Sequence, residues 1–593
     1  MLMRKLQGET MNDQFIAKEV TNDLTLKLWR GERMCLIGMD VTNPADDFVG
    51  FAIEVKAPGA LAFVPLNNRL AFSYAAPIKQ AVTGARWYSS LEAPFQKFRW
   101  IDFPNDPKGG DYEYRVTEMH MPRDGQLVKG TSTSTAITLD PVIYDNFLDV
   151  GFTRNFASSQ AYADRYKNEA NIMPAKANQG LKFKKVSGDV YQWLGFEAYQ
   201  LIFDLLAEVT NNKNLMLDVF AYDLNEPDFV SALEKLKGRV RIVIDNSGSH
   251  APATSAESQA AKRLSASAGA GNVKRMKFTK LQHNKVLIVK SGDTPQKVLF
   301  GSTNYSFRGL YIQANNALVV YAPQAAQLFE EYFNLAFANA GKSPKQWYET
   351  NPMSEKWLPV MVAGKPGLKF CFSPHDDSNL SMKPVGDAIN GAKSSVFFSI
   401  AFLYQTPSGP VRQAVNKLMK SKIFSYGISD KNGKLQVFKP DKSIGLVDFA
   451  YLAKVSPPPF NKEWSGGAGI HQHDKFVVTD FNLPSAQVFT GSSNLAPGGE
   501  EGNGDNLVAI ADRKVATSYA IEALRIFDHL HFRVRMQKAT GAKGKGSSKK
   551  TPAAQTAALT LQKPTKITGK AAWFEGYYKS GSQQEGDREI FST

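Results

Sequence analysis

At 593 residues the chain is too long for one ordinary domain, and its 43% hydrophobic and 21% charged residues are the composition of a globular protein. No apolar run approaches the ~20 residues that a bilayer-spanning helix requires, so a helical membrane protein is excluded. A net charge of +15 favours polyanionic partners, nucleic acid and anionic lipid alike. Two cysteines, Cys35 and Cys371, far apart in sequence, give no disulfide framework and suit a reducing compartment. Residues 1–15 lack the apolar core and cleavage site of a secretory signal, so a cytoplasmic protein is expected.

After an N-terminal segment, 1–19, residues 20–150 read as short strands at 24–29, 48–55, 98–103, 112–119 and 131–139. Turn signals such as Asn105-Asp106-Pro107 and Lys108-Gly109-Gly110 separate them, which predicts an antiparallel β-sandwich. The pattern resembles a fibronectin-type or immunoglobulin-like module. It holds no catalytic cluster and is expected to serve as a scaffold or to dock a protein partner.

A linker, 151–184, leads to alternating α/β sequence at 185–345: helix 193–208, strand 215–222, helix 229–237, strand 240–244. The order repeats over 346–540, with helix 385–392, strand 396–404, helix 411–422, strand 423–428 and a long closing helix at 514–536. Residues 537–570 carry Lys538, Lys543, Lys545, Lys549, Lys550, Lys563, Lys566 and Lys570 with no acidic residue, so 541–593 is expected to be a basic flexible tail. The aromatic run Trp573-Phe574-Glu575-Gly576-Tyr577-Tyr578 within it has no assignment.

Each repeat carries the same polar set. His283-Asn284-Lys285 precedes an apolar run and Gly301-Ser302-Thr303-Asn304 follows; His473-Asp474-Lys475 is followed by Asp480 and then Gly491-Ser492-Ser493-Asn494. The distance from histidine to glycine is 18 residues in both. His and Lys at i and i+2 of a strand share a face, and the next strand returns the Asn amide to them. A pseudo-twofold pairing of repeats would give one pocket with two of each. Phosphodiester cleavage needs a nucleophile, an acid for the departing oxygen, and donors or cations for the nonbridging oxygens. Histidines 283 and 473 divide the first two tasks and titrate jointly, Lys285 and Lys475 act as point charges, and Asn304 and Asn494 donate hydrogen bonds.

Over roughly 185–540 the chain resembles the phospholipase D superfamily, whose signature is a duplicated His-x-Lys, an Asp five residues after the Lys, and a following Gly-Ser-x-Asn. The resemblance implies duplicated α/β repeats forming one pseudo-twofold catalytic unit and a covalent phosphohistidine resolved by water or an alcohol. By the same resemblance His283 is the nucleophile and His473 the acid, an order that could be reversed. Asp505, before Asn506, is the expected orienting carboxylate, and Asn315, before Asn316, is its first-repeat counterpart, so the two imidazoles should differ in basicity. Asp480, Ser302 and Ser492 are supporting residues. One departure is Lys290, which stands where the first motif should carry Asp.

No cofactor motif and no complete metal-ligand spacing occurs, so metal-independent chemistry is expected. His375 and His471 read as loop histidines rather than ligands, and His529 and His531 as partners of the last helix's dipole. Nucleic acid is the leading substrate, on charge and the lysine tail. Phospholipid is the runner-up, with Pro457-Pro458-Pro459-Phe460 and Trp464 as a candidate apolar rim. A phosphate-binding protein without turnover is the third reading, favoured by Lys290.

Overall fold

The computed structural model describes residues 14–73, 87–155, 159–342, 352–362, 365–431, 434–448, 469–539 and 560–593. The chain divides into two compact units, one built from 1–77, 86–141 and 559–593, the other from 78–85 and 142–558.

The first unit has two four-stranded antiparallel sheets. One runs Ile16–Thr21, Leu24–Arg30, Cys35–Val41, Arg99–Asp102; the other runs Val128–Thr138, Asp111–His120, Phe48–Lys56, Val64–Pro65. Alternate residues of both sheets, among them Leu24, Leu26, Ile37, Phe51, Ile53, Tyr114 and Val116, share one apolar core, as period-two patterning dictates. The described part of the expected flexible tail is folded. Residues 560–593 fold onto these sheets: Tyr577 joins the core, Trp573 stacks on Phe98, and Trp29 Nε1 donates to the Phe591 carbonyl at 2.8 Å. The helix Gln583–Ser592 contributes Asp587, which accepts from Arg99 Nε at 2.5 Å, both side chains being buried, and Arg588, which donates to Asp40 at 3.0 Å. Apolar and ion-pairing groups outweigh the lysine-rich composition once the segment can cover a surface. Lysines 543, 545, 549 and 550 lie outside the described residues.

The second unit is mixed α/β with two eight-stranded sheets. The first runs Ile143–Tyr144, Leu148–Phe152, Asn316–Val320, Thr294–Gly301, Val286–Ser291, Leu215–Ala221, Val240–Asp245, Val273–Met276. The second runs Leu358–Val362, Lys365–Ser373, Asp505–Ile510, Gln487–Gly491, Lys475–Thr479, Ser395–Ile400, Phe424–Ser429, Leu446–Asp448. Position by position the two agree, including parallel pairing confined to the last three strands. Helices cover the sheet faces, which is why the central strands are continuous apolar runs. Val190–Asn211, Pro227–Leu236 and Ala256–Ala268 pack in the first core. The helix Pro323–Asn339 lies between the sheets, with Tyr332 against Phe220 on one side and Phe372 on the other. Tyr519 of Arg513–Ala539 does the same between Phe152 and Phe476.

Two boundaries differ from the sequence reading. The first-unit sheet begins at Ile16, inside the assigned N-terminal segment, and Leu148–Phe152, split between front domain and linker, belongs to the first α/β sheet through its register with Asn316–Val320. That pairing spans more than 160 residues, which a local pattern does not reveal. The remaining assigned linker contains the helix Gln160–Tyr166 and the turn Ala177–Lys182.

Candidate active site

In each repeat a buried aspartate at the end of a parallel strand fixes the histidine segment. Asp245 Oδ1 accepts from the Gln282 N–H at 2.7 Å; Asp430 Oδ1 accepts from the His471 and Gln472 N–H groups at 2.8 and 3.1 Å. The segments then cross to the opposite repeat: the His283 N–H donates to the Gly504 carbonyl at 2.9 Å, and the His473 N–H to the Ala314 carbonyl at 3.2 Å. Main-chain bridges therefore bring the two motifs to one place.

The Gly-Ser turns follow from close packing. A Cβ on Gly301 would meet the Asn316 carbonyl oxygen at 2.5 Å, and one on Gly491 the Asn506 carbonyl oxygen at 2.4 Å, both at positive φ. The next residue in each repeat, Ser302 or Ser492, accepts from the N–H of Asn316 or Asn506 at 3.0 Å.

Each histidine is oriented by the other repeat. His283 Nδ1 donates to Asp505 Oδ1 at 2.7 Å, and His473 Nδ1 donates to Asn315 Oδ1 at 2.8 Å. The Asn315 amide is fixed because its Nδ2 donates to the Gly309 carbonyl at 2.9 Å, which leaves Oδ1 as the acceptor. Asp505 is held in turn by Ser492 Oγ at 2.7 Å. All of these groups are buried, as are the lysines, whose ammonium groups donate to their own histidines' carbonyls.

Electrostatics separate the two imidazoles. Burial, then the Lys285 charge, lowers the His283 pKa, while Asp505 pulls it up. Burial and the charges of Lys475, Lys285 and His283 push His473 well below its ordinary value with no carboxylate on its Nδ1. Burial brings Lys285 down to about 8, and burial with the Lys285 charge puts Lys475 well below its ordinary value. Two clustered ammonium groups in a buried space favour an anion between them.

Of the other sequence-predicted residues, Asn304 is buried and donates from Nδ2 to Asp223 Oδ2 at 2.9 Å, and Asn494 holds the matching place after Ser492-Ser493. Asp480 is not part of the cluster. It accepts from the N–H groups of Lys393 and Ser394 at 2.9 and 2.8 Å and so ties down the entry to the strand Ser395–Ile400. Lys290, its counterpart, is a buried cation between Glu330 at 2.8 Å and Asp218 at 3.2 Å. The charge inversion is thus compensated locally and removes the observation that favoured a phosphate-binding protein. His375 is buried rather than in an open loop and donates to the Ser354 carbonyl at 2.7 Å. His531 packs on Phe527. The proposed apolar rim, 457–460 and 464, lies outside the described residues.

Sequence reasoning missed a second polar group beside His283. Tyr222 lies 4.7 Å, centroid to centroid, from both His283 and His250. His250 is clamped by Asp245 Oδ2 at 2.8 Å on Nδ1 and Asp223 Oδ1 at 3.0 Å on Nε2, with Glu257 at 3.8 Å. Burial opposes its protonation, but these carboxylates raise its pKa to about 10. Burial pushes the Asp223 pKa up, and the His250 bond and charge outweigh this and hold it below the usual value. Among the described residues, Asp223, His250 and Glu257 are the trio that could ligate a metal, their donor atoms lying within 4.8 Å of one another. The available signal was positional: Asp223 and Asp245 stand at the carboxyl ends of adjacent parallel strands, where α/β sheets place functional groups.

Residues 209–336 match the family model described as "Cardiolipin synthase, PLD-like domain". No curated protein matches the chain. Among solved structures, the chain is similar to Nuc from Salmonella typhimurium, a phospholipase D family member (27% identity, 24% of this chain and 88% of that one, TM-score 0.20). It is also similar to phosphatidylserine synthase from Haemophilus influenzae (12% identity, 56% and 85%, TM-score 0.39) and to a yeast tyrosyl-DNA phosphodiesterase variant (14% identity, 56% and 90%, TM-score 0.29). The matched residues carry the first His-x-Lys and Gly-Ser-x-Asn set, so this part of the chain is similar to a phospholipase D-like domain.

Proposed function

We propose that the two repeats act as one pseudo-twofold catalytic unit that hydrolyses phosphodiesters through a phosphohistidine, without a catalytic metal, and that the front domain is a β-sandwich serving as a scaffold. The observation that carries the reading is the exchange of orienting groups, Asp505 on His283 and Asn315 on His473. A carboxylate on Nδ1–H fixes the tautomer whose Nε2 lone pair attacks phosphorus, and it stabilises the cationic ring of the adduct. An amide on the other imidazole holds a proton less tightly, which suits the acid.

His283 Nε2 bonds to phosphorus as the P–O bond to the leaving group breaks, and the leaving oxygen takes the proton from His473. Water then gives a proton to His473 as its oxygen bonds to phosphorus, the P–N bond breaks, and a phosphomonoester is released. Lys285, Lys475, Asn304 and Asn494 stabilise the nonbridging oxygens, and their preset positions avoid reorganisation in the transition state. The net charge of +15 supports nucleic acid as the leading substrate. The description of the matched family model supports a lipid diester as the second reading.

The test is hydrolysis of bis-p-nitrophenyl phosphate with excess EDTA by native protein, His283→Ala and His473→Ala. Turnover that survives EDTA and is lost on removing His283 supports the mechanism. An inactive native protein, or one that EDTA silences through the Asp223–His250–Glu257 trio, contradicts it. DNA, RNA and phospholipid in competition then separate the substrate classes.

A further inference from the structure

The two halves of the site are unlike at one matched position. Phe220 and Ser399 face the third residue after each histidine, Val286 and Phe476, across the sheet. Three residues on from these stand Asp223 in the first repeat and Phe402 in the second. Phe402 lies edge-on to His473, 6.0 Å between centroids, with the Lys475 ammonium 5.8 Å from its ring. Asp223 bonds Asn304, whose amide is in the motif that meets phosphate.

Asp223 differs from Asp505 in exposure. The Asp505 side chain is 1% exposed, whereas that of Asp223 is 35% exposed although His250, Asn304, His283 and Lys285 around it are buried. Its accessible surface therefore opens beside the catalytic groups. Each oxygen of Asp223 already accepts one hydrogen bond, from His250 and from Asn304, and a carboxylate oxygen has capacity for a second. An ionised carboxylate repels a phosphodiester anion and lowers affinity unless the same substrate brings a donor to it.

Resting on the phosphodiesterase reading, we propose that Asp223 is a specificity-determining residue that accepts a hydrogen bond from a hydroxyl or ammonium group carried a few atoms from the scissile phosphate, while Phe402 makes the opposite side of the site apolar. His250, whose Nε2 meets Asp223 Oδ1 at 3.0 Å, holds that carboxylate in place. Hydroxyl-bearing and ammonium-bearing esters share this chemistry, and the assay separates them.

The experiment compares kcat/KM for three matched p-nitrophenyl diesters, the propyl, 3-hydroxypropyl and 3-aminopropyl esters, with native protein and Asp223→Asn, whose folding is checked by thermal melting. The native enzyme should prefer at least one donor-bearing ester over the propyl ester by about 10- to 100-fold, the range of a hydrogen bond to a charged group. In Asp223→Asn that ratio should fall toward one, whatever the absolute rate. Preference for the hydroxyl or the ammonium ester alone names the donor. A native ratio near one overturns the inference without reference to any variant, and so does a ratio that survives Asp223→Asn. Failure of the native enzyme to cleave any of the three esters removes the phosphodiesterase reading, and this inference with it, a result distinct from active but indiscriminate hydrolysis.

Discussion

Asn315→Asp places a carboxylate on His473 Nδ1, making the two histidines alike. The present contact is 2.8 Å. A unit charge about 4 Å from the imidazolium at an effective dielectric constant of about 20 contributes about 4 kcal/mol, or about 3 pH units. Two terms oppose it: the new carboxylate loses the Asn315 Nδ2 bond to the Gly309 carbonyl and faces that oxygen instead, a cost of about 1–3 kcal/mol, and it must be ionised in a fully buried position. The net upward displacement of the His473 pKa is about 1–2 units. On the proposed mechanism the productive form has His283 neutral and His473 protonated. Both imidazoles are shifted below their ordinary value, His473 further than His283, so kcat/KM should peak at acid pH and fall once the more basic His283 has also lost its proton. In Asn315→Asp the rising limb should move to higher pH and the peak kcat/KM should increase, because more of the singly protonated enzyme then carries its proton on His473. The assay is the pH dependence of kcat/KM on bis-p-nitrophenyl phosphate. A rising limb that moves with no gain in peak kcat/KM would refute His473 as the acid.

Asp505→Asn should lower kcat by about 10²–10⁴-fold, by loss of the ring's orientation and of charge against the phosphohistidine, with the falling limb of the pH profile moved to lower pH; stopped-time assays from pH 4 to 9 measure both. Lys290→Met should leave hydrolysis per folded molecule unchanged but cost about 1–3 kcal/mol in urea unfolding, because Glu330 loses its cation while Arg241 still pairs Asp218. Asp587→Ala should lower the unfolding transition of the first unit by about 1–3 kcal/mol through loss of the buried charge-assisted bond from Arg99.

What was legible in the sequence was whatever a local period or a repeated spacing encodes. Strands such as Leu215–Ala221 and Phe424–Ser429 lie within a residue or two of their expected ends, since buried apolar runs bounded by helices leave little freedom. The motif residues were visible because they occur twice with one spacing. Long-range pairing was not: nothing near Leu148 announces a partner at Val320, and nothing near Trp573 announces Phe98. Asp480 was credited with a supporting role on motif position alone, while Asp223, His250 and Glu257 come from three loops or helices with no shared spacing and so went unseen. The assignment of Asp505 as an orienting group named the residue, but only coordinates show that it serves the histidine of the other repeat.

The central claim is a covalent adduct on His283. A diester with a p-nitrophenyl leaving group needs no proton from the enzyme, so His473→Ala should accumulate the adduct while its hydrolysis is slow. Rapid quenching at alkaline pH followed by mass spectrometry of the His283 peptide should show one phosphoryl ester per chain in His473→Ala and none in His283→Ala. Adduct on the His473 peptide of the native enzyme, or turnover with no adduct at any histidine, would contradict the account.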